Sequence, residues 1–342
     1  MSHGGVVDLR SDTVTRPTDA MRRAMADAEV DDDVLDHDPT VRRLEELAAG
    51  LAGTEAAMFG PSATQANLCA VMSHCQRGDE MIVGHDAHTY RWEAGGAAVL
   101  ASVQPQPVRF RPDSTLDLDE VAAQIKPDDP HFARTRLLCL ENTHHGDVVP
   151  LDYLARAAAF TAERGLGLHL DGARVANAAV ALGVPISATT EGVDTASICL
   201  SKGLGAPMGA VLCGSAELIA RARRHRKILG GGLRQSGVVA AAGIIALTDH
   251  VERLADDHAN ARRLAEGLAG VDGIEVDPDR VQTNMVFADL GGTDTAWFQQ
   301  AMAAEGVRVL TGRPLRLVTH LDVSTADVDH AVEAAGRVMR SR

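Results

Sequence analysis

Lys202 stands in the segment ICLSKGLGAPMG, residues 198–209, directly after an apolar run and just before Gly203 and Gly205. A lysine at the end of a buried strand is partly withdrawn from water, which favours the neutral amine that imine formation needs. Read from this segment alone, it could also be an ordinary solvent-facing lysine at a turn. A second position bears on the choice. The run LGLHL, residues 166–170, ends in DGAR, so Asp171 sits at the carboxyl end of its strand and Arg174 lies in the segment that follows. A carboxylate there can pair with a protonated pyridine nitrogen and keep the ring cationic, so that it accepts electron density from a carbanion. Alone, Asp171 could equally cap a helix beginning at Gly172, since a buried, unpaired carboxylate is costly. An aspartate after one strand and a lysine after a nearby one point together to pyridoxal 5'-phosphate, carried as a Schiff base on Lys202.

These residues need a scaffold, and the hydrophobic pattern supplies one. Short apolar runs, MIVG (81–84), AAVLASV (97–103), RLLCLE (136–141), LGLHL (166–170), ASICLS (196–201) and MGAVLCG (208–214), alternate with helical patterns at 39–52, 64–77, 151–164 and 214–228. This is the rhythm of an α/β fold, a mainly parallel sheet covered by helices. Near-continuous apolar strands fit a sheet buried on both faces. Such sheets bind ligands at the carboxyl ends of their strands, where Asp171 and Lys202 fall. After GGGLRQSG (230–237), an Ala-rich periodic stretch runs to about residue 269 and reads as a helix connecting two domains. The remainder has strand-like IEV, NMVFADL, VRVL and LRLVTH and helical 294–305 and 325–339, as in a small α/β domain. The expected division is an N-terminal segment 1–20, a large cofactor-binding domain 21–250 and a small C-terminal domain 251–342.

Composition narrows the function classes. With 45% hydrophobic and 23% charged residues the chain reads as a soluble globular protein. A formal net charge of -14 argues against a nucleic-acid partner, which requires clustered cations, while a few local arginines could still hold a small anion. Cys69, Cys75, Cys139, Cys199 and Cys213 are odd in number, several fall in apolar runs, and they read as reduced, buried thiols. No signal-peptide-like or membrane-spanning run is present, so a cytoplasmic location is expected. No GxGxxG opens the first strand-helix unit, which weakens a nucleotide-binding oxidoreductase reading.

Five segments in order, DLRSDTVTRP, HLDGAR, ICLSKGLGAPMG, GGGLRQSG and RLVTHLDVS, resemble the low-specificity L-threonine aldolase family of aspartate-aminotransferase-like, fold type I pyridoxal-phosphate enzymes. The likeness runs from about residue 7 to the C-terminus. It implies a PLP-dependent transferase-like fold, with a large domain built on a mainly parallel seven-stranded sheet and a smaller C-terminal α/β domain. By the same resemblance Lys202 carries the cofactor and Asp171 binds its pyridine nitrogen. Arg174 lies near the phenolic oxygen or the substrate carboxylate, and Ser11 and Arg316 hold that carboxylate. His88 stacks on the ring near the substrate hydroxyl, and His131 faces the substrate side chain.

The phosphate is expected at GPSATQAN (60–67), where small residues open a helix whose first amides favour an anion; Ser62, Ala63 and Thr64 are the candidates. The family usually has glycine where Ala63 stands, which bears on how closely the backbone can approach. Ser201 is a further donor. Arg234 resembles an arginine that reaches the phosphate from a neighbouring subunit, implying a homotetramer, a dimer of dimers with active sites at subunit interfaces. It could also be a surface arginine continuing the basic run RARRHRK (221–227), which reads as a solvated helix face. Among fourteen histidines most are structural, and His144 and His145 in ENTHHGDVV are assigned no metal. One departure stands out: DDDVLDHDPT (31–40) replaces a GDDVYG-like segment, putting Leu35 and Asp36 where the family has Tyr and Gly near the site entrance.

The reaction implied is reversible cleavage of L-threonine, L-allo-threonine or another β-hydroxy-α-amino acid to glycine and an aldehyde. β-Elimination or transamination would use the same Asp and Lys, and the histidine near the substrate hydroxyl favours aldol cleavage. A non-catalytic pyridoxal-phosphate-binding protein would have no use for the substrate grip of Ser11, His88, Arg174 and Arg316.

Overall fold

The computed structural model describes residues 5–35 and 37–341, so the expectation placed on Asp36 lies outside the described residues. After β1 (Val7–Asp8), seven strands share one sheet: β2 (Ala56–Gly60), β3 (Glu80–Gly84), β4 (Gln104–Val108), β5 (Thr135–Glu141), β6 (Gly167–Gly172), β7 (Thr195–Cys199) and β8 (Ala210–Gly214). Their spatial order is β2-β8-β7-β6-β5-β3-β4, and only β8 runs against the others. β3, β7 and β8 are buried at every residue, as a sheet covered on both faces requires.

Register sets what emerges at the strand ends. Gly60 pairs with Ala210 and Ala210 with Cys199, so the segments leading to Ser62 and Lys202 leave the sheet at the same edge. Glu141 pairs with Asp171 and Asp171 with Ser197, which adds the ends of β5 and β6 to that edge. β3 runs parallel to β5, and His88 follows its end by four residues.

Several expectations are corrected. The apolar run 97–103 is not a strand: Gly96–Val99 is a short helix, and Ala97, Ala101 and Val103 pack with Leu68 and Val71. The strand comes next, as QPQPV; two prolines are tolerated because β4 lies at the sheet edge, where fewer amides are needed for pairing. β2, AAMFG, was not among the expected strands, having little β-branched character to announce it. The Ala-rich stretch is two helices, Gly237–Asp249 and Leu254–Ala269, and at the break the His250 ring lies 2.8 Å from the Leu204 carbonyl. IEV supplies only an isolated bridge, Glu275 to Asp289.

The basic run is not a solvated face either. In the helix Ala216–Ile228, Arg226 is buried, donating to the Phe59 carbonyl at 2.6 Å and pairing with Asp33 at 2.9 Å. Arg223 donates to the Ala57 carbonyl at 3.0 Å and pairs with Glu45, whose Oε1 accepts from Phe59 N at 2.7 Å. The reason is that β2 is the other sheet edge, and its outward backbone groups must find partners.

A second apolar cluster lies around β9 (Met285–Ala288), β10 (Val307–Arg308) and β11 (Leu315–Val318), with the helices Leu254–Ala269, Thr295–Ala304 and Thr325–Arg340. β11 is antiparallel to β9, and β10 is parallel to β1. Val7 and Leu9 are therefore sewn into this cluster. All five cysteines are free and buried, and burial pushes the Cys69, Cys75 and Cys213 thiols up to about 12. Among the described residues no helix is long and apolar enough to cross a membrane.

Gly209 closes the loop that carries Lys202, its carbonyl accepting from Leu200 N at 3.0 Å. It holds φ +106°, and a Cβ there would stand 2.5 Å from the Phe59 ring. Gly209→Ala is expected to lower the unfolding free energy by about 2 kcal/mol or more. Urea denaturation checks this; an unchanged midpoint would mean the loop is not held at this glycine.

Candidate active site

Asp171 is almost completely buried, at 1% exposure. Its Oδ1 accepts from Ala173 N at 3.0 Å and its Oδ2 from Asn67 Nδ2 at 2.8 Å. It does not cap the next helix: Arg174 holds the N-cap position of Val175–Leu182, without a side-chain cap bond. Asn67 Nδ2 also donates to Glu93 Oε1 at 2.9 Å, and His88 Nδ1 lies 2.9 Å from the same oxygen. Burial raises the Glu93 carboxyl, with the Asp171 charge adding to the rise, while its bonds to His88 and Asn67 pull it back. The bond to Glu93 raises His88 above its ordinary value against burial, and Asp171 adds to the effect. The Lys202 charge acts on His88 in the opposite sense and helps hold Asp12 ionised, which places it in the neighbourhood of both groups. The Lys202 carbonyl is pinned by Thr15 Oγ1 and Gly205 N, each at 2.9 Å.

The second half of the site is a pair of guanidinium groups with one carboxylate between them. Arg174 donates to Asp12 through Nε at 2.8 Å and NH2 at 2.7 Å, a two-pronged pair in which Asp12 is fully buried. Burial alone would raise the Asp12 carboxyl, but the Arg174 guanidinium, Lys202 and Asn284 hold it well below the usual carboxylate range. Arg316, half-buried on β11, is pulled down from its usual value by burial and by the Arg174 charge. Ser11 precedes Asp12, and its Oγ accepts from Thr13 N at 3.2 Å and Thr13 Oγ1 at 2.9 Å. Asp12 was missed in the sequence; its only signal was its place beside Ser11 in RSDT.

At the same edge Ser62 caps the helix Ala63–His74, its Oγ accepting from Gln65 N at 3.2 Å. The first amides of a helix have no acceptor within it and are free for an anion. Ala63 has ordinary helical backbone and packs in a cluster with Cys199, so an alanine fits where the family usually has glycine. The Ser201 hydroxyl lies 3.5 Å from Cys199 Sγ.

Not every expected residue joins this group. His131 is 85% exposed and bonded to Asp129, in the loop before β5, hence at the opposite edge of the sheet from Lys202. Seven residues of β5 separate the two edges by about 20 Å. Arg234 is 54% exposed and pairs with Asp32 at 3.0 Å, and Leu35 follows in that loop with its side chain in solvent. The His144 ring stacks on Phe110 with its Nδ1 3.2 Å from Glu141, and His145 pairs with Asp86 at 2.9 Å.

Residues 8–290 match the family model described as beta-eliminating lyase. The chain is 55% identical over 321 residues to the low specificity L-threonine aldolase of Escherichia coli (strain K12), covering 93% of this chain and 95% of that protein. It is 44% identical over 346 residues to low-specificity L-threonine aldolase 1 of Arabidopsis thaliana, covering 97% and 96%. The chain belongs to the low-specificity L-threonine aldolase family. The fold of a solved threonine aldolase from Leishmania major matches with a TM-score of 0.82 at 20% identity, over 97% of this chain and 99% of that one. Lys202, Asp171, His88 and Arg174 lie at one edge of the large sheet, and Arg316 comes to Arg174 from β11.

Asp12 has a folded value below its unfolded one, so its stabilisation is present above about pH 4 and lost as pH falls toward the folded value. Asp12→Asn is expected to cost about 3 kcal/mol at neutral pH by leaving Arg174 unpaired. Denaturation across pH checks it: the gap to the unsubstituted chain must narrow in acid, and a constant gap would rule out the charge as its source.

Proposed function

We propose that the protein is a pyridoxal-phosphate-dependent aldolase, a carbon-carbon lyase that cleaves L-threonine, L-allo-threonine and related β-hydroxy-α-amino acids to glycine and an aldehyde. The observation that carries this reading is the meeting of Lys202, the buried Asp171 carboxylate and the Glu93-backed His88 beside a guanidinium pair with one charge to spare.

The residues present fit the cofactor. The Asp171 carboxyl is buried and its two hydrogen bonds come from neutral donors, which suits it to a protonated ring nitrogen. Lys202 would hold the cofactor through its amine, His88 would lie on the ring, and the amides of Ala63 and Thr64 with Ser62 and Ser201 would take the phosphate. Bound there, the cofactor supplies a sink for the electron pair released when the bond between the α and β carbons breaks.

Ser11, Arg174 and Arg316 would grip the substrate carboxylate, since Asp12 cancels one guanidinium charge and leaves one for an anion. His88 would take the β-hydroxyl proton, directly or through a water, and the raised affinity given by Glu93 makes it a stronger acceptor. The hydroxyl-bearing carbon leaves as the aldehyde, and a proton returned to the α-carbon completes glycine. β-Elimination, for which the matched family model is named, would use the same lysine and aspartate but would release ammonia and a keto acid.

We also propose a homotetramer, a dimer of dimers. His131, at the far sheet edge, would serve the site of another copy, exposed Arg234 resembles an arginine that reaches a neighbouring subunit's phosphate, and a light-scattering mass checks the assembly. One apolar cluster, built from Val7, Leu9 and residues 261–338, stands apart from those packed on the seven-stranded sheet and supports a division near residue 250 into a large and a small domain. Five reduced, buried thiols fit a cytoplasmic location.

Purified protein incubated with L-threonine, L-allo-threonine and their D forms is expected to release aldehyde and glycine from L substrates; cofactor-loaded protein that releases none from any of them would remove the aldolase reading. Lys202→Ala is expected to lose the borohydride-trappable link to the cofactor. Glu93→Gln removes the group that favours protonated His88 and is expected to move the acid limb of kcat/KM to lower pH. An unmoved limb would take the proton-acceptor role away from His88.

A further inference from the structure

The site described so far uses one face of Asn67, and the other face leads away through the sheet. Asn67 Oδ1 lies 2.7 Å from Ser197 Oγ and 3.1 Å from His169 Nε2. His169 Nδ1 lies 2.9 Å from Thr195 Oγ1, and His74 Nε2 lies 2.9 Å from the same hydroxyl. Asn67, His169, Ser197 and Thr195 are all buried, and the path runs from Asp171 at one strand edge to His74 near the start of β6 at the other. The periodicities make it one face: His169 and Asp171 are two apart on β6, Thr195 and Ser197 two apart on β7, and Asn67 and His74 two helical turns apart.

Donor and acceptor roles along this path follow from one constraint. Asn67 faces two carboxylates, Asp171 and Glu93, so its NH2 must point at them and its carbonyl at His169 and Ser197. A carbonyl only accepts, so His169 must carry its proton on Nε2. Burial lowers His169 to about 4, so the ring is neutral and its Nδ1 is bare. That nitrogen can only accept, so the Thr195 hydroxyl donates to it, and the Thr195 oxygen in turn accepts from His74 Nε2–H. Burial lowers His74 as well, which fits a single proton placed on Nε2. Every donor in the series thus points toward Asp171, and hydrogen bonds aligned in this way polarise one another.

We infer that His74, Thr195, His169 and Asn67 form a positioning relay that presents Asp171 with donors only, fixing it as an oriented carboxylate for a cationic ring nitrogen. This rests on the reading of Asp171 as the partner of the cofactor's pyridine nitrogen. The relay touches neither the substrate nor the reacting atoms, and acts through Asp171 alone.

The test measures affinity of the full-length apoprotein for two probes, pyridoxal 5'-phosphate and its 1-deaza analogue, in which a C–H replaces the ring nitrogen. Both keep the aldehyde for Lys202 and the phosphate, so their affinity ratio isolates the bond to Asp171. Asp171→Ala is expected to abolish the preference for the natural cofactor. Asn67→Leu is expected to cut it on the order of tenfold or more, as loss of a hydrogen bond to a charged group would. Thr195→Val, which keeps the shape and removes only the hydroxyl, is expected to cut it by a smaller factor.

If Asp171→Ala abolishes the preference and both relay variants keep it, or lose both affinities alike, the relay is overturned and the Asp171 reading stands. If Asp171→Ala itself keeps the preference, the Asp171 reading falls and the relay with it. Should the variants fail to fold, isotope-edited NMR of the unsubstituted protein decides: a proton on His169 Nε2 is expected, and a proton on Nδ1 would overturn the assignment.

Discussion

A carboxyl group taken out of water is costly unless its oxygens are bonded, and Asp171 imposes that requirement on everything around it. It is met by two neutral donors, the Ala173 amide and the Asn67 side chain. Neither cancels the charge. The edge therefore keeps an electrostatic demand that a protonated ring can satisfy, and the helix Ala63–His74, which carries Asn67, also offers its first turn to a phosphate. One helix would thus set two ends of the cofactor seat proposed above. Its placement follows from β2, since Gly60, Ala210 and Cys199 stand in one register across three strands.

The carboxylate seat is built on the opposite principle. There a buried charge is paired outright, Asp12 with Arg174, and the surplus cation Arg316 is left half-buried with a weaker bond, 3.4 Å to the Arg10 carbonyl. A two-pronged pair holds the Arg174 fork in a fixed plane, so an arriving carboxylate meets an oriented group. Without Asp12 two guanidinium groups would face each other, and the repulsion would displace one of them from the seat.

Those parts that obey a local rule were legible in the chain. Lys202 follows a buried strand and Asp171 stands at the carboxyl end of one, and Pro39–Ala52 and Leu151–Arg164 form helices where the periodicity put them. What the sequence hid depends on contacts between distant segments. Asp12 gains its meaning only when Arg174, 162 positions away, reaches it. Arg223 and Arg226 look like solvated charges until β2 proves to be an edge needing donors for its carbonyls. The run 97–103 is apolar enough for a strand, yet its side chains are used to cover Leu68 and Val71 while a proline-bearing segment takes the edge. His131 matched the family motif, but a motif does not say at which edge of the sheet its loop will lie.

The two seats also differ in what supports them. Asp171 ends a strand of one sheet and Lys202, His88 and Ser62 follow others, and their relative positions are set by its hydrogen-bond register. The proposed carboxylate grip is shared: Arg174 comes from that sheet, Arg316 from β11, and Ser11 and Asp12 from a segment whose strand β1 pairs with β10 in the other cluster. Asn284, beside β9, reaches Asp12 at 3.2 Å and the Thr319 carbonyl at 3.1 Å, which ties the grip to the second cluster. A small shift of the second cluster against the sheet would therefore change how a substrate carboxylate is held and leave the ring seat intact. In the function proposed above, the angle and depth of the amino acid would be set at this shared corner, and discrimination among β-hydroxy amino acids would depend on the fit between the second cluster and the sheet as well as on the groups that touch the hydroxyl.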